Sequence, residues 1–133
     1  MLRAALILSM MVAGPPGPEI VEIAPKRAVT VGLDGPDMDA CGGLGRIISG
    51  ADEHLPILSG PDQSAMVSGS LERRAFVWLC EAEGEWQGVV YPTGEYQDIS
   101  DCRVSSPVAE PRTYDGPCQS GWVRARNIEL LAG

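Results

Sequence analysis

A chain of 133 residues has the size of a single small domain. It carries eighteen carboxylates against ten basic residues, for a formal net charge of −8, and this acidity argues against nucleic acid and anionic lipid as partners. Sixteen glycines and eleven prolines interrupt the chain too often for long helices and favour short strands joined by tight turns.

The first segment, residues 1–13, has the pattern of an export signal. Arg3 precedes an apolar run from Ala4 to Ala13 that is too short to span a bilayer. We predict a signal peptide over 1–13, with a cleavage point anywhere up to residue 24, and a proline-rich leader over 14–30. The mature chain is then periplasmic or secreted and has no membrane span.

The segment from Val31 to Gly45 is rich in turn residues and contains aspartates at positions 34, 37 and 39. A calcium loop also needs a glycine at its centre and a closing glutamate, and neither is in place. The glycines of this segment lack the Lys-Ser/Thr pair that completes a phosphate-binding loop. We therefore predict a solvated turn that holds no metal and no cofactor.

The densest β-forming run is Ala75–Tyr91, AFVWLCEAEGEWQGVVY. Its valine and aromatic residues predict two strands joined by an acidic turn. Side chains alternate between the two faces of a strand, which separates one set of apolar residues from the tryptophans. The set predicted to point inward is Val77, Leu79, Val89 and Val123.

No group of residues has the pattern of a catalytic centre. His54 is the only histidine, and no Gly-x-Ser-x-Gly motif supplies a nucleophile beside it. Glu81, Glu83 and Glu85 fall in the acidic turn, where no apolar surround would raise a carboxyl pKa, so we expect them to be solvated. The sequence therefore predicts that the protein is not an enzyme.

Several short motifs occur in an order that resembles the bacterial Src homology 3-type domain family, over about residues 44–131. They are Leu55-Pro-Ile-Leu-Ser-Gly-Pro61, Val67-x-Gly-x-Leu71, Val77-x-Leu79, Gly84-x-Trp86-x-x-Val89 and Gly121-Trp-Val123. Three departures are Ile57-Leu58, where the family has Val-Arg, Arg74, where it has glycine, and a loop of about 30 residues after Tyr91, which is long for a small barrel. The stretches around Val31, Cys102 and Gly116 further resemble a subgroup of small exported bacterial proteins.

The resemblance implies an all-β domain over residues 31–133. Its expected core is a small Src homology 3-like barrel of about five to six short strands, with a long loop over residues 92–120. It also implies one helical turn at Ala125–Asn127 and a last strand at Ile128–Leu131.

Four cysteines in an exported chain of this size predict two disulfides. Three pairings are possible, and we favour Cys102–Cys118, which would pin the long loop, together with Cys41–Cys80, which would tie the N-terminal segment to the hairpin. Zinc is the competing interpretation. No Cys-x-x-Cys pair is present and His54 is distant in sequence from every cysteine, so we predict no metal site.

The aromatic residues are the candidate binding residues. An outward-facing cluster would form a groove for a peptide or glycan strand. Alternatively the long loop packs over these rings, and we favour this second interpretation because an ordered loop needs an apolar surface beneath it. The residues in question are Trp78, Trp86, Tyr91, Tyr114 and Trp122.

These observations predict a non-catalytic, exported and monomeric binding module. The resemblance implies cell-wall peptidoglycan or an envelope protein as its partner. The alternative is an accessory or inhibitor protein that acts on a partner enzyme through the 92–120 loop.

Overall fold

The computed structural model describes residues 22–48, 54–94 and 97–133, so the predicted signal peptide lies outside the described residues. Within these ranges the chain forms nine strands and two short 3-10 helices, which are Ile99–Cys102 and Ala125–Asn127. The strands are β1 Thr30–Val31, β2 Gly43–Ile47, β3 His54–Leu58, β4 Val67–Glu72, β5 Phe76–Glu83, β6 Trp86–Tyr91, β7 Arg112–Thr113, β8 Gln119–Arg124 and β9 Ile128–Ala132. The helical turn and the last strand lie where the resemblance placed them.

Seven strands form one antiparallel sheet in the order β4-β3-β8-β6-β5-β2-β9, and β1 pairs separately with β7. The predicted all-β class is therefore confirmed. Closure into a barrel is not found among the described residues, because a barrel requires its outermost strands to hydrogen-bond to each other. Here β4 pairs only with β3 and β9 only with β2, so both remain edges of the sheet.

Each face of the sheet carries its own apolar core, because successive residues of a strand point to opposite sides. Val89 of β6 lies in the first core, and its neighbour Val90 lies in the second. Three of the four residues predicted to point inward are fully buried in the first core, and Leu79 packs against it. The first core consists of Ile47, Leu55, Ile57, Leu71, Val77, Val89, Tyr91 and Val123, and the second of Val31, Ala40, Cys41, Val90, Cys102, Val104 and Cys118.

A β-bulge lies in β5, where the register with β6 shifts between Leu79 and Glu81. The extra residue lets both Cys80 and Glu81 face the second side of the sheet, whereas strict alternation would send them to opposite sides. Cys80 shares this side with Trp78 by ordinary alternation and reaches Cys41, and the bulge brings Glu81 to the same side, where it is buried. The predicted solvation of Glu81 is therefore wrong, because β5 continues to Glu83 and the turn is shorter than the sequence indicated.

Two disulfides connect the second core to the sheet and to the long loop. Cys41 is bonded to Cys80 and Cys102 to Cys118, which is the pairing favoured from the sequence. The two bonds span sequence separations of 39 and 16 residues. In the loop-entropy model such closures contribute about 4 and about 3 kcal/mol to stability, a large share for a domain of this size.

The residues just before β1, which the sequence placed in the leader, lie against the sheet. The Arg27 backbone N–H donates to Ser59 O at 2.9 Å, and its guanidinium pairs with the Glu81 carboxylate at 3.0 Å. Trp122 Nε1 donates to the Arg27 carbonyl at 2.8 Å, and the guanidinium carbon lies 5.2 Å from the centroid of that indole. Arg27 thus covers the buried indole of Trp122 and pairs with the buried carboxylate of Glu81.

Candidate binding site

The residues considered for acid–base chemistry do not converge on a common site. His54 is the first residue of β3, exposed and opposite Glu72. Glu81 and Glu83 both contact Arg27, and Glu85 pairs with Arg124. No cluster of three or more His, Cys, Asp or Glu side chains suited to a metal ion occurs within residues 22–48, 54–94 and 97–133.

Two of the five aromatic candidates cannot line a surface groove, because the structure buries them. Trp122 is completely buried beneath Arg27, and Tyr91 lies in the first core with 4% of its surface exposed. Burial raises the pKa of the Tyr91 phenol. Both residues stabilise the fold, so the sequence-based grouping of Tyr91 and Trp122 with the binding residues is corrected here.

Two further candidates lie under or within the long loop, as the favoured interpretation predicted. The indole Nε1 of Trp78 donates to the carbonyl of Ile99 at 2.7 Å. The Tyr114 hydroxyl donates to Cys102 O at 2.9 Å and accepts from the backbone N–H of Cys118 at 3.0 Å. Tyr114 therefore braces the backbone on both sides of the loop disulfide, and Trp78 provides the apolar surface on which the loop rests.

The fifth candidate, Trp86, lies at a partly exposed position at the start of β6. Its partner in the sheet register is Arg124, the last residue of β8. The Arg124 guanidinium carbon lies 4.6 Å from the centroid of the Trp86 ring, within the range of a cation–π contact. Arg124 also pairs with Glu85 and donates to the Gln63 side chain at 3.4 Å. These contacts fix the indole at the surface.

Trp86 forms one wall of a cavity of about 450 Å³ between β3, β6 and the end of β8. Val123 and Leu55 of the first core form its apolar floor, and Pro56 and Val67 line it from β3 and β4. The volume is typical of pockets that bind small molecules or a few residues of a longer chain, about 300–1,000 Å³. We call this cavity the Trp86 groove. It is the surface at which one of the five aromatic candidates remains partly exposed for the predicted binding role.

The arginines of the groove are candidate binding residues that the sequence reasoning did not include. Arg124 and Arg126 follow the Gly-Trp-Val motif, and both line the Trp86 groove. Within the described residues Arg126 makes no ion pair, so its guanidinium is available to a ligand. No local pattern marks them, because residue 124 comes to lie opposite residue 86 only through the pairing of β6 with β8.

No family model, curated protein or solved structure was found to match this chain. Among the described residues there is no helix of the length and apolar character needed to cross a membrane.

Proposed function

We propose that this protein is an exported, non-catalytic binding module that uses the Trp86 groove. The observation that carries the proposal is a partly exposed tryptophan held by Arg124 over an apolar floor. Aromatic rings and arginines supply most of the binding energy in many recognition surfaces, since they offer a large contact area and strong charge-assisted hydrogen bonds.

We propose cell-wall peptidoglycan as the ligand. The second ligand class we propose is a protein of the cell envelope. The apolar floor suits the hydrophobic face of a peptide or sugar, and the free guanidinium of Arg126 suits a carboxylate. Export is supported by the N-terminal apolar run together with two disulfides, which persist in oxidising compartments. A Src homology 3-like architecture is supported by the motif order and by the 3-10 turn between β8 and β9.

Co-sedimentation with purified peptidoglycan tests the proposal. Wild-type protein should be retained, and Trp86→Ala should weaken retention about 30-fold or more, as truncation of a central aromatic contact commonly does. Phe76→Ala is the matched control, because Phe76 is an exposed aromatic residue that does not line the groove. Unchanged retention of Trp86→Ala, with the fold verified by circular dichroism, would rule out the groove.

The alternative role, an accessory or inhibitor protein, is supported by the internal bonds in the described part of the 92–120 loop. Besides its disulfide and Tyr114, the loop contains a capping box in which Ser100 N donates to Asp98 and Asp98 N donates to Asp101. A pre-ordered loop binds a partner with a smaller entropic cost than a disordered one. Retention by an envelope-protein bait that depends on this loop, with none by peptidoglycan, would favour the alternative.

A further inference from the structure

A second cavity, of about 380 Å³, lies on the side of the sheet that carries the second core, between the β1–β7 ribbon and the long loop. Its floor is formed by three buried residues, Val31, Ala40 and Val104. No residue lines both this cavity and the Trp86 groove. Because the floor belongs to the disulfide-bonded second core, the cavity is pre-formed rather than created by a mobile segment.

Arg112 lines this second cavity from strand β7. Its register partner is Val31 of β1, and directly opposite residues of an antiparallel pair project from the same face. Val31 lies in the cavity floor, so the stem of Arg112 extends along the same side. The residue itself is exposed, which places its guanidinium at the entrance, in contact with solvent.

Arg103 lines the cavity from the loop, and its backbone is left-handed, with φ of 59° and ψ of 39°. Glycine or asparagine adopts this conformation more easily than arginine, so the conformation is imposed by the neighbouring residues. The preceding residue, Cys102, is bonded to Cys118, and the following residue, Val104, is buried. Arg103 is therefore held in place from both sides.

The charges around the cavity leave one positive charge unmatched. Two arginines and one acid, Asp115, line it, and within residues 22–48, 54–94 and 97–133 none of the three forms an ion pair. Burial raises the pKa of the Tyr114 phenol at this site, and Asp115 and Arg103 are close enough to shift that pKa in opposite directions. The chain as a whole has a net charge of −8, so the two unpaired guanidiniums make this cavity a local site of positive charge.

We propose that this cavity binds a small carboxylate that carries a short apolar chain. The carboxylate lies between Arg103 and Arg112, since guanidinium groups bind carboxylates through paired, charge-assisted hydrogen bonds. The chain lies against Val31, Ala40 and Val104, which supply an apolar surface. The site is independent of the Trp86 groove, so either proposal can fail without the other.

Titration of ¹⁵N-labelled protein with butyrate, hexanoate and octanoate tests this inference by NMR. We expect saturable shifts centred on residues 31, 40 and 103–117, with affinity rising about fourfold for each methylene that is buried. Arg112→Ala and Arg103→Asn should each weaken binding about tenfold or more. Asparagine is chosen at 103 because it tolerates the left-handed backbone. Arg73→Ala, which removes an exposed arginine from the β4–β5 turn, should bind as wild type does.

Three results would overturn the proposal. The first is the absence of saturable shifts at the cavity with octanoate. The second is equal binding of hexanamide, which has the same chain without the charge. The third is equal binding of inorganic phosphate, which would mean that the arginines attract any anion and that the apolar floor has no part. As a control, both arginine variants should unfold at the same urea concentration as the wild type. A loss of binding is then not a loss of fold.

Discussion

The hydroxyl of Tyr114 makes both of the side-chain hydrogen bonds that brace the loop disulfide, and its removal is the sharpest test of the fold. The variant Tyr114→Phe deletes one oxygen and keeps the ring, against which Gly116 packs so closely that a Cβ there would lie 2.6 Å from the hydroxyl. The deletion leaves the carbonyl of Cys102 and the N–H of Cys118 without their partner. Both groups belong to the backbone of the two cysteines that form this disulfide.

The expected cost follows from these two bonds, which measure 2.9 and 3.0 Å. A typical intramolecular hydrogen bond contributes about 0.5–1.5 kcal/mol net, so Tyr114→Phe should lower the free energy of unfolding by about 1–3 kcal/mol. Cys102 is fully buried and Cys118 nearly so, which favours the upper half of that range, because water replaces the lost partners poorly. With a urea slope of about 1–3 kcal/mol/M, the midpoint should fall by about 1 M.

Urea unfolding under non-reducing conditions measures this effect, with both disulfides verified by thiol titration so that the unfolded state stays the same. Tyr91→Phe is the matched control. It removes the same atom from a more deeply buried tyrosine, whose hydroxyl makes no hydrogen bond within the described part of the chain. Its cost should be smaller, because no hydrogen bond is lost. If Tyr114→Phe costs no more than Tyr91→Phe, the bracing role assigned to the hydroxyl is incorrect.

Two further predictions concern the first core and alkaline pH. Gly121→Ala should destabilise the domain by about 2 kcal/mol or more in the same urea assay, since a Cβ at Gly121 would lie 2.2 Å from Ile57 Cγ2 inside a packed core; wild-type stability would show that β3 and β8 separate easily. Because burial raises the pKa of Tyr91 and Tyr114, the folded state favours the neutral phenols. The contribution of the neutral phenols to stability is fully present below about pH 10, which is the pKa of tyrosine in the unfolded chain. It is lost as the pH rises through the higher pKa of the folded state. Unfolding midpoints should therefore fall above pH 10, and less steeply in Tyr114→Phe; an equal slope in both proteins would contradict the assignment.

The sequence was most informative where short-range patterns decide the structure. Alternation within Ala75–Tyr91 correctly identified Val77 and Val89 as core residues, because the period of a strand is a local property. Four cysteines in a small chain indicated two disulfides, and the composition indicated an all-β class. Neither inference depends on long-range geometry.

The binding surfaces could not be found from the sequence, because they depend on which strands lie side by side. Trp86 and Arg124 are 38 positions apart and meet only through the register of β6 and β8. Arg112 meets the cavity floor only because β7 pairs with β1. The burial of Trp122 likewise depends on Arg27, a residue that sequence composition assigned to the leader.

The amino-acid sequence alone thus determined the all-β class, the disulfide-bonded character and the apolar set of the central hairpin, since these follow from local periodicity and composition. Only the tertiary structure decided that the sheet stays open, that a bulge in β5 buries Glu81, and that Trp86 is the one candidate aromatic residue lining the surface groove. The physical reason is that strand register and order are set by non-local packing, whose partners are separated by tens of residues along the chain.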